Sequence, residues 1–451
     1  MTDDRHVPLR VVLAGRRGAF LVALLLAEFG AAMQGIAYST VLPVVAEDLD
    51  GFALFGATLA AGSVAAVLML SFAPPLLGRL RPSLVLLVAT VGYVVGAGMA
   101  VVAPTMEWVL AGTVVRGLAA GLLGGFGMAA IGALFDAVER PRVFGMFALV
   151  WLLPSLVGPG LNALVTEAFG WRWALAWPAV LVLLARALMG VQVGAVPWKP
   201  SRPPLRAGAG VVVAACLAVG AWGSATPGPL GLTVLVLGIS LSGLGIAVFL
   251  RRSAASGLLF RVLLTFTLLC AGFFGLFELL AAAIVSGLGA SLTVAAAAVM
   301  AGLVAWSVAG LRPRPDARPD RVVVGTVLVA VAVGAATAAT AFAAPAAAIV
   351  LLIVAGGVAG LGMGWAYPLL SSEPFETDAP ATDVGPLIAF GETAGTAWAV
   401  LLTGGALSQL HATGLPLRDA AAVSLAIGVF VAVAGVVAAT LRRRGRERTE
   451  R

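Results

Sequence analysis

The sequence predicts an all-α polytopic membrane protein of about fourteen transmembrane helices, arranged as two six-helix halves with two extra central spans. Three observations lead there. Of the 451 residues, 61% are hydrophobic and only 11% charged, against about 25% charged in a soluble domain, so lipid must act as the solvent. Apolar runs of about 20 residues or more, the length that crosses a bilayer, recur from one end of the chain to the other. The basic residues gather on alternate connections between those runs.

Proline, glycine and charged residues divide the chain into runs near 18–44, 52–77, 83–103, 106–135, 142–168 and 171–195. After the polar break from Trp198 to Pro204 come 207–226 and 229–250, separated by the turn Thr226-Pro227-Gly228-Pro229. The remaining runs lie near 261–286, 290–311, 322–343, 346–370, 384–410 and 419–440. This spacing assigns 1–195 to an N-terminal six-helix half, 196–206 to a cytoplasmic linker and 207–250 to two extra helices. It assigns 251–441 to a C-terminal six-helix half and 442–451 to a basic cytoplasmic tail. Twelve spans is the alternative, if the 207–250 pair does not cross.

Charge placement checks the count. With the N-terminus inside, 24 of the 28 basic residues fall on cytoplasmic segments, from Arg5, Arg10, Arg16 and Arg17 to the arginines after Leu441. Arg172 and Arg418 fall outside, and Arg116 and Arg186 fall within spans. A miscounted span would invert every later loop and spoil this bias. The acidic loop from Glu373 to Asp378 does not oppose it, because acidic residues contribute little to orientation. The abundance of Arg over Lys, with Lys199 alone, points to a bacterial source, and so to a multi-pass protein of the bacterial cytoplasmic (inner) membrane with both termini cytoplasmic.

An internal repeat accompanies the layout. Span 4 carries Gly117, Gly121 and Gly125, and span 12 carries Gly356, Gly360 and Gly364. Glycines four apart let helix backbones approach closely. Each set lies in the fourth span of its half once spans 7 and 8 are set aside, and two related six-span halves around a central site is a transporter plan.

Several functions are excluded. The net charge of +7 is spread over short loops with no basic stripe interleaved with aromatics, so nucleic acid is not an expected partner. Cys216 and Cys270 stand singly in apolar runs, and His6 and His411 are the only histidines. No disulfide framework, metal site or cofactor is therefore expected. The first apolar run is too long for a signal-peptide core. A membrane-embedded enzyme would need a paired-carboxylate, Ser/His or metal constellation at the interface, and none is present, so no enzymatic activity is expected.

Five charges fall inside spans: Glu28, Arg116, Arg186, Glu278 and Glu392. A charge at the bilayer centre costs roughly 2.5–3.5 kcal/mol, more than the ~0.6 kcal/mol of a typical interhelical hydrogen bond, so folding alone does not account for them. Glu28 lies near mid-membrane on a face of small residues, Ala31, Ala32, Gly35 and Ser39, and Arg116 reaches similar depth from the other side. Glu28 is expected to exchange a proton against Arg116 or a cationic substrate; a static Glu28–Arg116 ion pair holding spans 1 and 4 together is the alternative. Glu392, flanked by Gly385, Ala389, Gly395 and Thr396, and Glu278, near Phe273, Phe274 and Phe277, are expected as second proton sites or receptors for a cationic group. A hydrogen-bonded neutral acid is the alternative for each. Arg186 is placed toward the cytoplasmic end of span 6, where it would snorkel. Trp171 and Trp173 are read as interface anchors.

Span 5 reads Pro154-Ser155-Leu156-Val157-Gly158-Pro159-Gly160 and is followed by Phe169-Gly170-Trp171-Arg172-Trp173; span 1 ends in the stretch from Val41 to Leu49 around Pro43. These segments, with Arg116 in span 4, resemble the major facilitator superfamily, in particular its fourteen-span drug:proton antiporter branch. The layout matches over essentially the whole chain, the specific motifs only in its first half. The resemblance implies a gating role for Gly158, Pro159 and Gly160, where proline removes a backbone hydrogen bond and lets the helix bend. Two positions depart from the branch: Gln34 stands where its span-1 acid is expected, and Gly78 where the loop between spans 2 and 3 has Asp. Gln34, Tyr38, Asn162 and Trp151 are assigned to the substrate cavity. The expected function is secondary transport, a proton-coupled exporter of hydrophobic small molecules, cationic ones included. Protons, a small-molecule substrate and membrane lipid are its partners, and a monomer is the expected state. Export of a lipid or endogenous metabolite is the alternative.

Overall fold

A computed structural model describes residues 9–77, 79–135, 139–192, 207–310, 320–376 and 381–449. Among them there is no strand. After a short helical turn at Leu9–Val12, the first half holds α1 (Gly15–Asp48), α2 (Phe55–Leu77), α3 (Pro82–Val101), α4 (Met106–Leu134), α5 (Arg140–Phe169) and α6 (Trp171–Gln192). Next come α7 (Ala207–Ala225) and α8 (Pro229–Ser253). The second half holds α9 (Gly257–Ala282), α10 (Leu292–Gly310), α11 (Asp320–Phe342), α12 (Pro345–Ser372), α13 (Ala381–Ala412) and α14 (Leu417–Thr449). Each of the fourteen apolar runs forms one helix.

Thirteen helices are long and apolar enough to cross a membrane among the described residues. The other is α5, 30 residues long with Pro154 and Pro159 inside it; many of its side chains lie outside the described residues. The expected linker 196–206, Gly78, and Arg312, Arg314 and Arg318 also lie outside them. The basic residues from Arg442 onward do not leave the last span: they continue α14 as helix to Thr449.

The two halves repeat one packing scheme. In the first, α1 packs on α5 and α6, α2 on α4, and α3 on α4 and α6. In the second, α9 packs on α13 and α14, α10 on α12, and α11 on α12 and α14. The seams between the halves follow the same symmetry: α2 meets α13, and α5 meets α10. The glycine repeat sits at equivalent places in this scheme. A Cβ at Gly117 would meet Gly62 Cα at 2.8 Å, and one at Gly121 would meet Ala66 Cα at 2.9 Å, both across the α2–α4 contact. A Cβ at Gly356 would meet Ala298 O at 2.7 Å, and one at Gly360 would meet Trp306 N at 3.0 Å, across α10–α12. Neighbouring backbones lie where side chains would be, which only glycine permits.

Helices α7 and α8 pack on each other and against α2 and α13. They are tied down by polar side chains of α13: Gln409 Nε2 donates to the carbonyls of Gly223 and Thr226, both at 2.7 Å, and Trp398 Nε1 donates to that of Ile239 at 2.9 Å. The pair therefore lies outside the α2–α13 seam and leaves the space between the halves to the twelve other helices.

The ends of the bundle differ. At the arginine-poor end, hydrogen bonds join the halves. Ser286 Oγ donates to Glu47 at 2.7 Å, Thr293 Oγ1 donates to Glu167 at 2.5 Å, and the Gly56 amide donates to Ser408 Oγ at 3.0 Å. Phe52 meets the edge of His411 with ring centroids 5.6 Å apart. At the arginine-rich end, the described ion pairs stay within one half: Arg17 with Glu139 at 2.9 Å, and Arg442 with Glu373. The halves are thus closed on each other at the arginine-poor end.

Candidate functional site

Close helix approaches set the polar residues between the halves. A Cβ at Gly96 would meet Arg116 N at 2.6 Å, so α3 lies directly on α4 at the level of Arg116 and brings Tyr93, one turn earlier, beside the guanidinium. The same guanidinium lies over the Tyr38 ring, 4.0 Å from its centroid, a cation–π contact worth about 2 kcal/mol when desolvated. Tyr93 OH donates to Gln34 Oε1 at 3.4 Å, and Gln34 Nε2 donates to the Leu175 carbonyl at 3.1 Å. Gln34, 1% exposed, thus clamps α1 to α3 and α6. An amide serves this double role because it donates and accepts at once.

Glu28 lies ten residues from Tyr38 on α1, ~15 Å along the axis. A Cβ at Gly30 would meet Val182 Cγ2 at 2.8 Å, so α1 and α6 touch one turn from Arg186. That contact brings Arg186 within electrostatic reach of Glu28. The described interactions of Arg116 are with Tyr38 and Tyr93, and Arg186 is a cation within electrostatic reach of Glu28. Arg186 does not snorkel. It is 7% exposed, with Nη1 against Met189 Sδ at 3.9 Å, because the close contact of α1 and α6 encloses it.

In the second half, Gly391 and Gly395 let α13 press onto α9: a Cβ at Gly395 would meet the Thr267 carbonyl at 2.6 Å. That approach points Glu392 toward α12, where Tyr367 OH donates to Glu392 Oε2 at 3.0 Å. Aromatic rings surround the pair. Trp306 lies 5.4 Å and Phe266 5.1 Å from the Tyr367 ring, and Phe273 and Phe274 lie 5.4 Å and 6.0 Å from Trp306. Glu392, Tyr367 and Trp306 are each half-buried within the bundle. Glu278 is likewise deep and partly accessible, three turns beyond Thr267 on α9. Carboxylates thus lie inside helices of both halves, Glu28 in α1, Glu278 in α9 and Glu392 in α13.

The remaining expected residues take other positions. Gly158 lies against α1, where a Cβ would meet Ile36 Cγ2 at 3.2 Å, and Gly160 faces Met300 of α10 across the seam. The buried Pro159 lies between them, so the bend-prone part of α5 bridges the halves. Asn162 is fully buried and accepts from Trp177 Nε1 at 3.0 Å. The side chain of Trp151 lies outside the described residues. Trp171 is 5% exposed and donates to Asp48 at 2.8 Å, so it locks α6 to α1 instead of anchoring at the interface; Trp173, 63% exposed, keeps the anchor position. An open groove of about 440 Å³ lined by Ala247, Val248, Arg251, Arg252 and Phe260 lies on α8 and the start of α9, away from the carboxylates. No group of three or more metal-ligating side chains occurs among the described residues.

Two helical halves that repeat one packing scheme and are hydrogen-bonded to each other at one end have the architecture of a multi-pass membrane transporter. The chain belongs to the Major Facilitator Superfamily, whose family model matches residues 24–401. Among curated relatives, it is 22% identical over 182 residues to the multidrug transporter protein MdtP of Bacillus subtilis, covering 39% of this chain and 34% of that protein. It is 32% identical over 93 residues to the probable multidrug-efflux transporter Rv1634 of Mycobacterium tuberculosis, covering 21% and 20%. With the multidrug efflux pump SdrM of Staphylococcus aureus it shares 24% over 153 residues, 34% of each chain. These matches span about a third or less of the relatives' own length. An auto-inhibited POT family peptide transporter superposes with a TM-score of 0.68 at 19% identity, over 94% of this chain and 96% of that one. A bacterial homolog of the human lysosomal transporter Spinster gives 0.59 at 14%, over 95% and 97%. Family and fold are those of transporters.

Proposed function

We propose that the chain is a proton-coupled exporter of hydrophobic small molecules, cationic ones included, in the bacterial cytoplasmic membrane with both termini cytoplasmic. The observation that carries this reading is the placing of carboxylates inside helices of both halves, Glu28 in α1 and Glu392 in α13, the latter hydrogen-bonded by Tyr367 OH at 3.0 Å. A carboxylate inside a membrane bundle needs a countercharge, supplied by a proton or by a cationic group. Glu28, with Arg186 beside it, carries the proton, and Arg116 holds Tyr38 and Tyr93 in the wall of the pathway. The multidrug names of the relatives matched and the arginine-rich end, cytoplasmic under the positive-inside rule, agree with uptake of cargo from the cytoplasm. Rocking of the halves about α5 and α10 then exposes the cavity to the other side.

The test is transport by the purified chain in vesicles carrying a pH gradient. Ethidium movement driven by the gradient, and lost in Glu28→Gln, supports the reading. Gradient-driven movement that persists in the variant removes Glu28 from the coupling step.

A further inference from the structure

We propose that the open groove between the end of α8 and the start of α9 is a binding site for an anionic glycerophospholipid, whose phosphate Arg251 and Arg252 hold. The site lies apart from the carboxylates of the bundle and stands whatever the cargo is.

Two observations carry it. The first is positive charge without a partner. Arg251 and Arg252 stand in the last turn of α8, and both are exposed. Neither pairs with a carboxylate among the described residues, whereas Arg17, Arg442, Arg443 and Arg446, at the same end of the bundle, pair with Glu139, Glu373 and Glu447. The sequence explains the difference: no Asp or Glu occurs between Glu167 and Glu278, and Glu278 lies about 30 Å along α9 from Gly257. Two neighbouring guanidinium groups with no acid beside them draw an anion, and their paired N–H donors match a phosphate. A zwitterionic headgroup brings its own ammonium up to both arginines and is disfavoured; a net-negative one is not.

The second observation is the apolar surface that leads away from these arginines. The groove, about 440 Å³, is lined by Ala247 and Val248 beside Arg251, Arg252 and Phe260. The Arg251 guanidinium lies over the Phe260 ring, 5.4 Å from its centroid, a contact that holds one of the two cations at the groove. Leu237, Leu241, Leu244 and Val248 are all exposed, and their spacing of four, three and four places them on one stripe of α8. The stripe ends between Arg251 and Arg252, three and four residues past Val248. Leu237 stands about 21 Å along the axis from Arg251, more than the ~15 Å that an acyl chain spans in one leaflet. A phosphate held by the arginines therefore leaves its acyl chain lying along this stripe, which a soluble phosphate compound does not use.

A consequence for the extra pair follows. The Gln409 hydrogen bonds hold the turn between α7 and α8 at one end of the pair. A lipid seated against both α8 and Phe260 of α9 fastens the other end to the second half.

The test is native mass spectrometry of the purified full chain, released from detergent micelles that hold phosphatidylglycerol and phosphatidylethanolamine in equal amounts. Wild type is expected to retain phosphatidylglycerol with an apparent affinity at least about tenfold higher. Arg251→Gln combined with Arg252→Gln should lose that preference, and Arg251→Lys combined with Arg252→Lys should keep part of it. Val248→Trp keeps both charges, fills the groove from a lipid-facing position and should also weaken retention. Arg16→Gln combined with Arg444→Gln removes two exposed arginines from the same end and should leave the preference intact. An equal loss in that variant would mean diffuse charge attraction and overturn the site. Equal retention of the two lipids by wild type, or an unchanged preference in the Arg251→Gln, Arg252→Gln variant, would overturn it as well. Displacement of the lipid by an equal concentration of glycerol 3-phosphate would overturn the lipid in favour of a soluble phosphate compound.

Discussion

The glycines of α4 and α12 allow a paired test in which the sign of the effect reverses within a single helix. Gly117 and Gly124 both lie in α4, but a Cβ at Gly117 would meet Gly62 Cα at 2.8 Å and Ala65 Cβ at 2.9 Å, whereas one at Gly124 meets nothing within 4 Å. In α12, Gly360 and Gly357 form the same contrast, with Trp306 N at 3.0 Å from the first and open space around the second. Glycine to alanine in a helix interior gains up to about 1 kcal/mol of backbone propensity wherever space allows. Where the obstacle is the backbone of a packed helix, the helices must separate, at a cost of about 1–3 kcal/mol. Gly124→Ala and Gly357→Ala should therefore leave stability unchanged or raise it, and Gly117→Ala and Gly360→Ala should lower it. Thermal unfolding of the purified protein in detergent reads the difference as opposite shifts of midpoint. Because the α2–α4 and α10–α12 contacts are equivalent in the two halves, the two destabilised variants should fall by similar amounts. If Gly117→Ala and Gly124→Ala shift the midpoint alike, close backbone contact is not what these glycines provide.

Three further outcomes are expected. Ser286→Ala combined with Thr293→Val removes two hydrogen bonds to carboxylates at the arginine-poor end, each worth about 1.5–3 kcal/mol. It should shift the population toward opening there, seen as a longer distance between spin labels at positions 50 and 413. Arg186→Leu removes the cation beside Glu28 and should slow ethidium-driven proton release about tenfold, the equivalent of ~1.4 kcal/mol, while Arg186→Lys keeps more of it; equal rates in the two would show that the charge of Arg186 is not used. Gln34→Leu breaks the clamp between α1, α3 and α6 and leaves the buried Tyr93 hydroxyl without its Gln34 acceptor, at a cost of about 1–3 kcal/mol, measured again as a lower unfolding midpoint.

Much of the architecture was legible in the residue pattern for one physical reason: a chain in lipid must satisfy its backbone within each helix, so apolar length alone marks the spans. The arginine bias confirmed their number, and Gly117, Gly121, Gly356 and Gly360 marked the tight contacts, since close backbone approach leaves a trace in side-chain size. The placing of Glu28, Arg116 and Glu392 inside long helices was legible too. Their partners were not. Whether Arg186 is enclosed depends on the rotation of α6 against α1, set where Gly30 meets Val182, and no local pattern reports that rotation. Arg186 near a helix end resembles a snorkelling arginine until the packing around it is known. Tyr367 and Glu392 belong to helices whose relative placement follows from how each packs on α9, so their hydrogen bond left no signal in spacing. The burial of Trp171 likewise depends on Asp48, far away in the chain.

The most direct measurement of the central claim is proton release on adding ethidium to vesicles holding the purified chain, comparing wild type with Glu28→Gln. Release from wild type that disappears in the variant is the expected result, with Glu28 as the proton carrier. If wild type releases no protons with ethidium or any other lipophilic cation, cation-for-proton exchange is contradicted, and a neutral lipid or metabolite becomes the cargo to test.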